Sequence, residues 1–128
     1  MDRFIRKSIM AGALLFAAVA PFISAPALAK TLLYVGNSQG DDVSVIDVAA
    51  GKLLTTIKLA PLVHGVCAPA DGRHAYATIE SNNTVMVIDT LTNTVTGTIA
   101  LPGRPNECAV TSDGKYLVVP LLAPANSA

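Results

Sequence analysis

The chain has 128 residues, a length typical of one domain, and 52 % of them are hydrophobic whereas 14 % are charged. Nine basic and nine acidic residues give a formal net charge of +0, and the charges are scattered singly along the chain. Nucleic acids and anionic membranes are bound through clusters of Lys and Arg. The composition therefore argues against either of them as a main partner.

The first 29 residues have the pattern of a secretory signal peptide. A basic head at residues 3–7 precedes an apolar run that ends at Ile23, and Ala27-Leu28-Ala29 is an A-x-A cleavage site. The alternative is a membrane anchor, but the run is shorter than the roughly 20 residues of a spanning helix, and Pro21 interrupts it. We expect cleavage after Ala29, export to the periplasm or the medium, and no membrane span in residues 30–128.

A 42-residue repeat organises the rest of the chain. Val43-Ser44-Val45-Ile46-Asp47 returns as Val85-Met86-Val87-Ile88-Asp89, and Asp71-Gly72 returns as Asp113-Gly114, at the same offset and without a gap. No stretch after residue 29 has an apolar period of 3.6 residues long enough for a helix. A period near 40 residues built from strands predicts the blades of a β-propeller.

The predicted strands follow the repeat in chain order. They span residues 30–36, 43–48, 53–59, 65–68, 74–79, 84–90, 94–101, 107–110 and 116–119. With the strands of one blade labelled A to D from the axis outward, their order is B-C-D, then A-B-C-D, then A-B. We therefore expect an all-β, incomplete propeller of four-stranded antiparallel blades over residues 30–119, with residues 120–128 as a frayed tail.

Aspartate, glycine and asparagine recur at the turns between these strands. Asp accepts hydrogen bonds from nearby backbone N–H groups, while Gly and Asn tolerate a positive φ. Because they recur in successive blades, we interpret them as turn residues rather than paired catalytic carboxylates. The set is Asp47, Gly51, Asp71, Gly72, Asp89, Asn93, Asp113 and Gly114.

These motifs resemble a known family of repeats. The run 33–37 (LYVGN), followed by 43–47 (VSVID) and 70–73 (ADGR), is similar to the YVTN-type β-propeller repeat, as are 82–89 and 112–115 in the second copy. The resemblance spans residues 31–119 and implies an exported, surface-layer-like or lactonase-like propeller. Such proteins close a ring of about seven blades, so just over two blades imply a truncated product, a self-assembling piece, or part of a longer protein.

The two cysteines, Cys67 and Cys108, are candidates for a disulfide in an exported protein. In the repeat, however, Cys67 aligns with Ala109, and Cys108 aligns with Val66. The thiols are therefore one residue out of phase, and successive side chains of a strand point to opposite faces. On this basis we expect no disulfide and two buried thiols.

Four polar residues are the candidate ligand contacts, namely His64, Arg104, Asn106 and Glu107. They lie at or beside the predicted inner strands, near the mouth of the channel. His64 suits a metal or haem ligand or a general base, whereas His74 aligns with Tyr116 and suits a packing role. No group of His, Cys and Asp has the short spacing of a metal site, so we expect neither a metal nor a cofactor.

No catalytic constellation is recognisable in the sequence. Ser44, Ser81 and Ser112 all lack the G-x-S-x-G context of a nucleophile elbow. The sequence therefore favours a non-enzymatic exported propeller that binds a protein or small molecule, or acts as a scaffold. The alternative is a fragment of a lactonase-like or quinoprotein-associated propeller with a site in its channel. In either case the exposed end blades predict self-association or missing further blades.

Overall fold

The computed structural model describes residues 30–122. This range forms nine β-strands without a helix, so it contains no helix of the length and apolar character needed to cross a membrane. The predictions for residues 1–29 and 123–128 lie outside the described residues. The strands are β1 (Leu32–Gly36), β2 (Asp42–Asp47), β3 (Lys52–Lys58), β4 (Val63–Cys67), β5 (His74–Ile79), β6 (Thr84–Asp89), β7 (Thr94–Ala100), β8 (Ala109–Val110) and β9 (Leu117–Val118).

Three antiparallel sheets follow one another along the chain. The sheet β1-β2-β3 is blade 1, the sheet β4-β5-β6-β7 is blade 2, and the pair β8-β9 is blade 3. Their strand orders are B-C-D, A-B-C-D and A-B, as the sequence predicts. The all-β architecture of an incomplete propeller is therefore confirmed.

The 42-residue repeat is visible in the hydrogen-bonding register as well as in the sequence. In blade 1, the pairing of β2 with β3 shifts between Val45 and Ile46. In blade 2, the pairing of β6 with β7 shifts between Val87 and Ile88, the equivalent positions. An irregularity that returns at the same offset is part of the repeated unit, as bulges within families are.

The core lies between blades 1 and 2. We call the face of a blade that is turned toward the preceding blade its first face, and the other its second face. Val43 and Val45 on the second face of blade 1 are fully buried, as are Ala75 and Ala77 on the first face of blade 2. They belong to one cluster, which comprises Val43, Val45, Ile57, Val63, Ala75, Ala77, Ile79 and Ile88. Removing each Val or Ile side chain from water contributes about 1.5–3 kcal/mol.

The turns of both blades use the residues that the sequence singles out. Gly51 and Asn93 hold the same place in the repeat, with φ of 60° and 55°. The backbone N–H of Ala50 donates to Asp47 at 3.0 Å, and that of Thr92 donates to Asp89 at 2.8 Å. These donors lower the pKa of both carboxyl groups below the ordinary value.

Valine in place of Gly72 is expected to lower the free energy of unfolding by about 1–3 kcal/mol, the cost of a strained backbone conformation. Gly72 has a φ of +63°, and an added Cβ would meet nothing within 4 Å, so the strain comes from the backbone alone. Gly114→Val should lower the free energy of unfolding by a similar amount, because the φ of Gly114 is +71°. Arg73→Val is the matched control, since Arg73 lies next to Gly72 and has no positive φ. Equal urea midpoints for Gly72→Val and the wild type would contradict a turn that requires this φ.

Residues 120–122 are not a frayed tail, so that part of the prediction is wrong. Leu121 forms a bridge with Pro105, and the N–H of Asn106 donates to the carbonyl of Pro120 at 3.0 Å. The N–H of Leu122 donates to the carbonyl of Arg104 at 2.8 Å. Proline lacks an N–H, but its carbonyl remains a full acceptor, so Pro120 extends the pairing of blade 3.

The structure also contradicts the expectation of two free thiols. Cys67 and Cys108 form a disulfide, with their Cα atoms 5.8 Å apart. The bond joins the A strand of blade 2 to the A-strand segment of blade 3. It is a covalent link between neighbouring blades.

The phase difference of one residue does not keep the two cysteine side chains apart. Neighbouring blades pack with the second face of one against the first face of the next, so side chains that meet must lie on opposite faces. The one-residue phase difference between Cys67 and Cys108 meets that requirement. Val66 aligns with Cys108 and lies on the first face of blade 2. Its Cγ2 atom would be 3.0 Å from a Cβ atom built on Gly36 of blade 1.

Candidate functional site

The candidate site lies at the inner edge of blades 2 and 3, where two A-strand segments run close together. His64 is exposed on β4, and Asn106 occupies the equivalent position in blade 3. A Cβ built on Gly65 would lie 2.9 Å from the Cα atom of Glu107 and 3.0 Å from its Oε2 atom. The structure therefore brings the segment with His64 next to the segment with Asn106 and Glu107.

A buried hydroxyl holds these two segments in place. Thr78, which is fully buried on β5, accepts a hydrogen bond from the N–H of Gly65 at 2.7 Å. Its hydroxyl donates to the carbonyl of Asn106, also at 2.7 Å. The backbone at the inner edge is thus tied to the core of blade 2, which fixes the places from which the polar side chains extend.

Arg104 is engaged differently from the other three candidates. Its guanidinium forms an ion pair with Glu80, in the turn between β5 and β6. This pair bridges blades 2 and 3, next to the bond from the N–H of Leu122 to the carbonyl of Arg104. A carboxylate already neutralises Arg104, so His64, Asn106 and Glu107 are the stronger candidates for contacts with a ligand.

Sequence reasoning did not identify an open cleft of about 820 Å³ between blades 1 and 2. The polar side chains in its wall are Lys30, Tyr34, Arg73, His74, Asp89, Thr90 and Asn93. The hydroxyl of Tyr34 donates to Oδ1 of Asn93 at 2.6 Å, which links the two blades. Burial raises the pKa of Tyr34, and the charge of Asp89 adds to this shift. In the sequence, the only indication of this cleft is the tyrosine that recurs at the repeat offset, at positions 34 and 76.

The His and Ser residues that the sequence analysis also considered make contacts within the protein. The ring of His74 lies 6.4 Å from that of Tyr76, in line with the predicted packing role. The hydroxyl of Ser81 donates to the carbonyl of Pro61 at 2.6 Å, and Ser44 accepts a bond from the amide of Asn37. Within residues 30–122, no group of three or more His, Cys, Asp or Glu side chains has the arrangement of a metal site.

Two bacterial proteins are similar to this chain in sequence. No family model matches the chain. The chain is 34 % identical over 86 residues to the uncharacterized protein YncE of Salmonella typhi and to the protein of the same name in Salmonella typhimurium. The match covers 67 % of this chain and 24 % of each relative. The chain therefore spans about a quarter of the length of the curated relatives that it matches.

Three solved structures are similar to the fold. Hydrazine synthase of Kuenenia stuttgartiensis matches with a TM-score of 0.68 and 20 % identity, over 70 % of this chain and 26 % of that one. The β-propeller domain of Cps50 (Swd1) from Myceliophteria thermophila matches with a TM-score of 0.62 and 11 % identity, over 71 % and 29 %. The dihydro-heme d1 dehydrogenase NirN, in complex with DHE, matches with a TM-score of 0.61 and 21 % identity, over 69 % and 19 %.

These likenesses agree with the sheet order described above. Residues 30–122 have the β-propeller fold, with one complete blade flanked by two partial ones, and the chain is similar to YncE over two thirds of its own length. Identities this low to the solved structures carry the fold and not an activity.

Proposed function

We propose that this chain is an exported propeller module of the YVTN repeat type that binds a ligand rather than catalysing a reaction. The observation that carries the proposal is the inner edge, where His64 lies beside Asn106 and Glu107 on backbone fixed by Thr78. An imidazole, an amide and a carboxylate on rigid strands offer donors and acceptors for a polar ligand. No Ser, Cys or Asp beside them has the partners of an activated nucleophile within the described residues.

The alternative is a part of a lactonase-like or quinoprotein-associated propeller. It is favoured by the exposure of His64 at the inner edge. NirN, which shares the fold, is a dehydrogenase solved in complex with DHE. In that reading His64 serves as a base or as one ligand of a larger group. Its other partners have to come from outside residues 30–122, because this range supplies no cluster of metal ligands.

An NMR titration with a set of small polar fragments tests the binding proposal. Amide signals of residues 64–66 and 106–108 are expected to shift, and the double variant His64→Ala/Glu107→Gln is expected to weaken binding at least tenfold. His74→Ala is the control, because His74 lies in the cleft between blades 1 and 2. Shifts confined to that cleft would place the ligand site there instead.

Native mass spectrometry and a lactone-hydrolysis assay separate binding from catalysis. We expect no stoichiometric metal in the purified protein and no turnover of a γ-lactone. A bound metal together with turnover that is lost in His64→Ala would establish the alternative.

Export is the second part of the proposal, and it predicts cleavage after Ala29. N-terminal sequencing of protein expressed in a bacterial host is expected to begin at Lys30-Thr31-Leu32. Ala29→Arg is the matched variant, because it removes the small residue directly before the cut, and it should leave the precursor uncut. An intact Met1 in the membrane fraction of the wild type would support an anchor instead.

A further inference from the structure

Leu62, two residues before His64, has a backbone conformation that leucine rarely adopts. Its φ is 61°, in the left-handed region, where the Cβ atom of an L-residue crowds the following carbonyl oxygen. Elsewhere in residues 30–122 a positive φ is found only at glycine and asparagine, which tolerate it. Those residues are Gly51, Gly72, Asn83, Asn93 and Gly114. Position 62 is therefore the exception within this range, because a bulky side chain stands where the backbone suits glycine or asparagine.

Hydrogen bonds to both neighbouring blades hold Leu62 in this conformation. Its N–H donates to the carbonyl of Gly40 in blade 1 at 3.2 Å, and its carbonyl accepts from the N–H of Glu80 in blade 2 at 3.0 Å. Beside it, the hydroxyl of Ser81 donates to the carbonyl of Pro61 at 2.6 Å. Strained residues persist where their surroundings impose the conformation, and they cluster at sites that hold ligands. These contacts all lie between blades 1 and 2, so the conformation of Leu62 does not depend on further blades.

The side chain of Leu62 is 46 % exposed although its backbone is fixed on both sides. Val63 is fully buried and His64 is exposed. Because alternate side chains of an extended segment share a side, Leu62 and His64 extend from the same side of the chain. Glycine would fit this backbone without strain. What leucine adds is an exposed apolar surface next to the imidazole of His64.

The charge of the inner edge comes from Glu107. Arg104 and Glu80 neutralise each other in an ion pair, whereas Glu107 forms no ion pair within residues 30–122. Its carboxylate lies over Gly65, because its Oε2 atom would be 3.0 Å from a Cβ atom built there. A carboxylate accepts hydrogen bonds and donates none, and like charges placed together repel. The inner edge therefore suits a ligand that donates hydrogen bonds and carries no negative charge.

We propose that the ligand of the inner edge is a neutral amphipathic molecule, with a polar group such as a carboxamide and a hydrocarbon part that covers Leu62. The N–H groups of the carboxamide donate to Glu107, and its carbonyl accepts from the amide of Asn106. The hydrocarbon part removes the exposed surface of Leu62 from water. The strained backbone holds this apolar contact in place before the ligand arrives, which is preorganisation. This inference rests on the proposed binding at the inner edge, and it adds the charge and the apolar part of the ligand.

Three related probes test the inference by NMR titration of the full chain. Benzamide has a carboxamide and a hydrocarbon ring, acetamide has the carboxamide without the ring, and benzoate has the ring with a negative group. The amide signals of residues 62–66 and 106–108 report binding. In the wild type, benzamide is expected to bind about fivefold more tightly than acetamide, because its ring covers the exposed half of Leu62. Benzoate is expected to bind more weakly than benzamide, because Glu107 repels it.

Two substitutions of Leu62 separate the binding effect from an effect on folding. Leu62→Asn and Leu62→Ala should both abolish the preference for benzamide over acetamide, because both remove the apolar contact. Their stabilities should differ, since asparagine tolerates a positive φ and alanine does not, so Leu62→Asn should unfold at the higher urea concentration. Leu53→Asn is the matched control, because Leu53 is an exposed leucine on the outer strand of blade 1. It should keep the preference of the wild type.

The possible results distinguish this inference from the binding proposal on which it rests. If no probe shifts the signals of residues 62–66 and 106–108, both are wrong. If benzamide and acetamide bind there equally, or if Leu62→Asn keeps the wild-type preference, the inference about Leu62 is wrong while binding at the inner edge stands. Benzoate that binds more tightly than benzamide would overturn the assignment of a neutral ligand.

Discussion

Replacing Cys67 and Cys108 together by alanine is expected to lower the free energy of unfolding by about 4 kcal/mol. The disulfide closes a loop with a sequence separation of 41 residues. In the chain-entropy model, a loop of that length removes about 4 kcal/mol of conformational freedom from the unfolded chain. The loss is a large fraction of the roughly 5–15 kcal/mol that stabilises a typical native protein.

Urea denaturation at one fixed protein concentration measures this loss, since any association between copies would also change the midpoint. The wild type treated with a reducing agent should unfold at the same urea concentration as the double variant. The double variant treated in the same way is the control, and its midpoint should not move. If reduction exposes two free thiols but leaves the midpoint unchanged, the disulfide contributes nothing and the prediction is wrong.

The loss of stability on removing the disulfide is expected to be largest in blade 3. Its strands β8 and β9 have two residues each, and an isolated two-stranded sheet is marginally stable in water. Without the disulfide, blade 3 is held by the bridge at Leu121, the hydrogen bond from Thr78 and the ion pair of Arg104. Amide hydrogen exchange in residues 105–121 should therefore increase more than in β5 and β6 when the disulfide is removed.

The fold could be predicted from the sequence because the patterns that specify it are local and occur in each repeat. The offset of 42 residues, the turn residues and the runs of Val and Ile determine which strands exist and in what order they pair. The disulfide was not accessible in the same way. The phase of Cys67 and Cys108 was read correctly, but its meaning depends on how successive blades face one another, and that is a property of the packed molecule.

The candidate site was predictable in part. The repeat places His64 and Asn106 on inner strands, because equivalent residues share one position in each blade. It does not reveal that Arg104 pairs with Glu80, because the partner lies in another blade and neither residue has a charged equivalent in the repeat. The cleft between blades 1 and 2 could not be predicted for a similar reason. Its wall combines residues 30–34 of one blade with the turn at residues 89–93 of the other.

The second large effect is expected at Gly65, where alanine should destabilise the fold by about 1–3 kcal/mol, the usual cost of an overpacked interior. An added Cβ would lie 2.9 Å from the Cα atom of Glu107 and 3.1 Å from the carbonyl oxygen of Asn106. Both are backbone atoms, so no side-chain rotation relieves the contact. The A-strand segment of blade 3 would have to move away, against the disulfide and the hydrogen bond from Thr78.

Gly97→Ala is the matched control, because a Cβ there would lie 3.7 Å from Val87, an ordinary contact. We expect it to be neutral or to stabilise the protein slightly, since alanine restricts the unfolded chain more than glycine does. The double variant Gly65→Ala/Glu107→Ala removes the Oε2 contact but leaves the backbone in place. It should therefore recover little of the loss in urea denaturation, whereas full recovery would mean that the Glu107 side chain, rather than the close approach of two inner strands, requires a glycine at position 65.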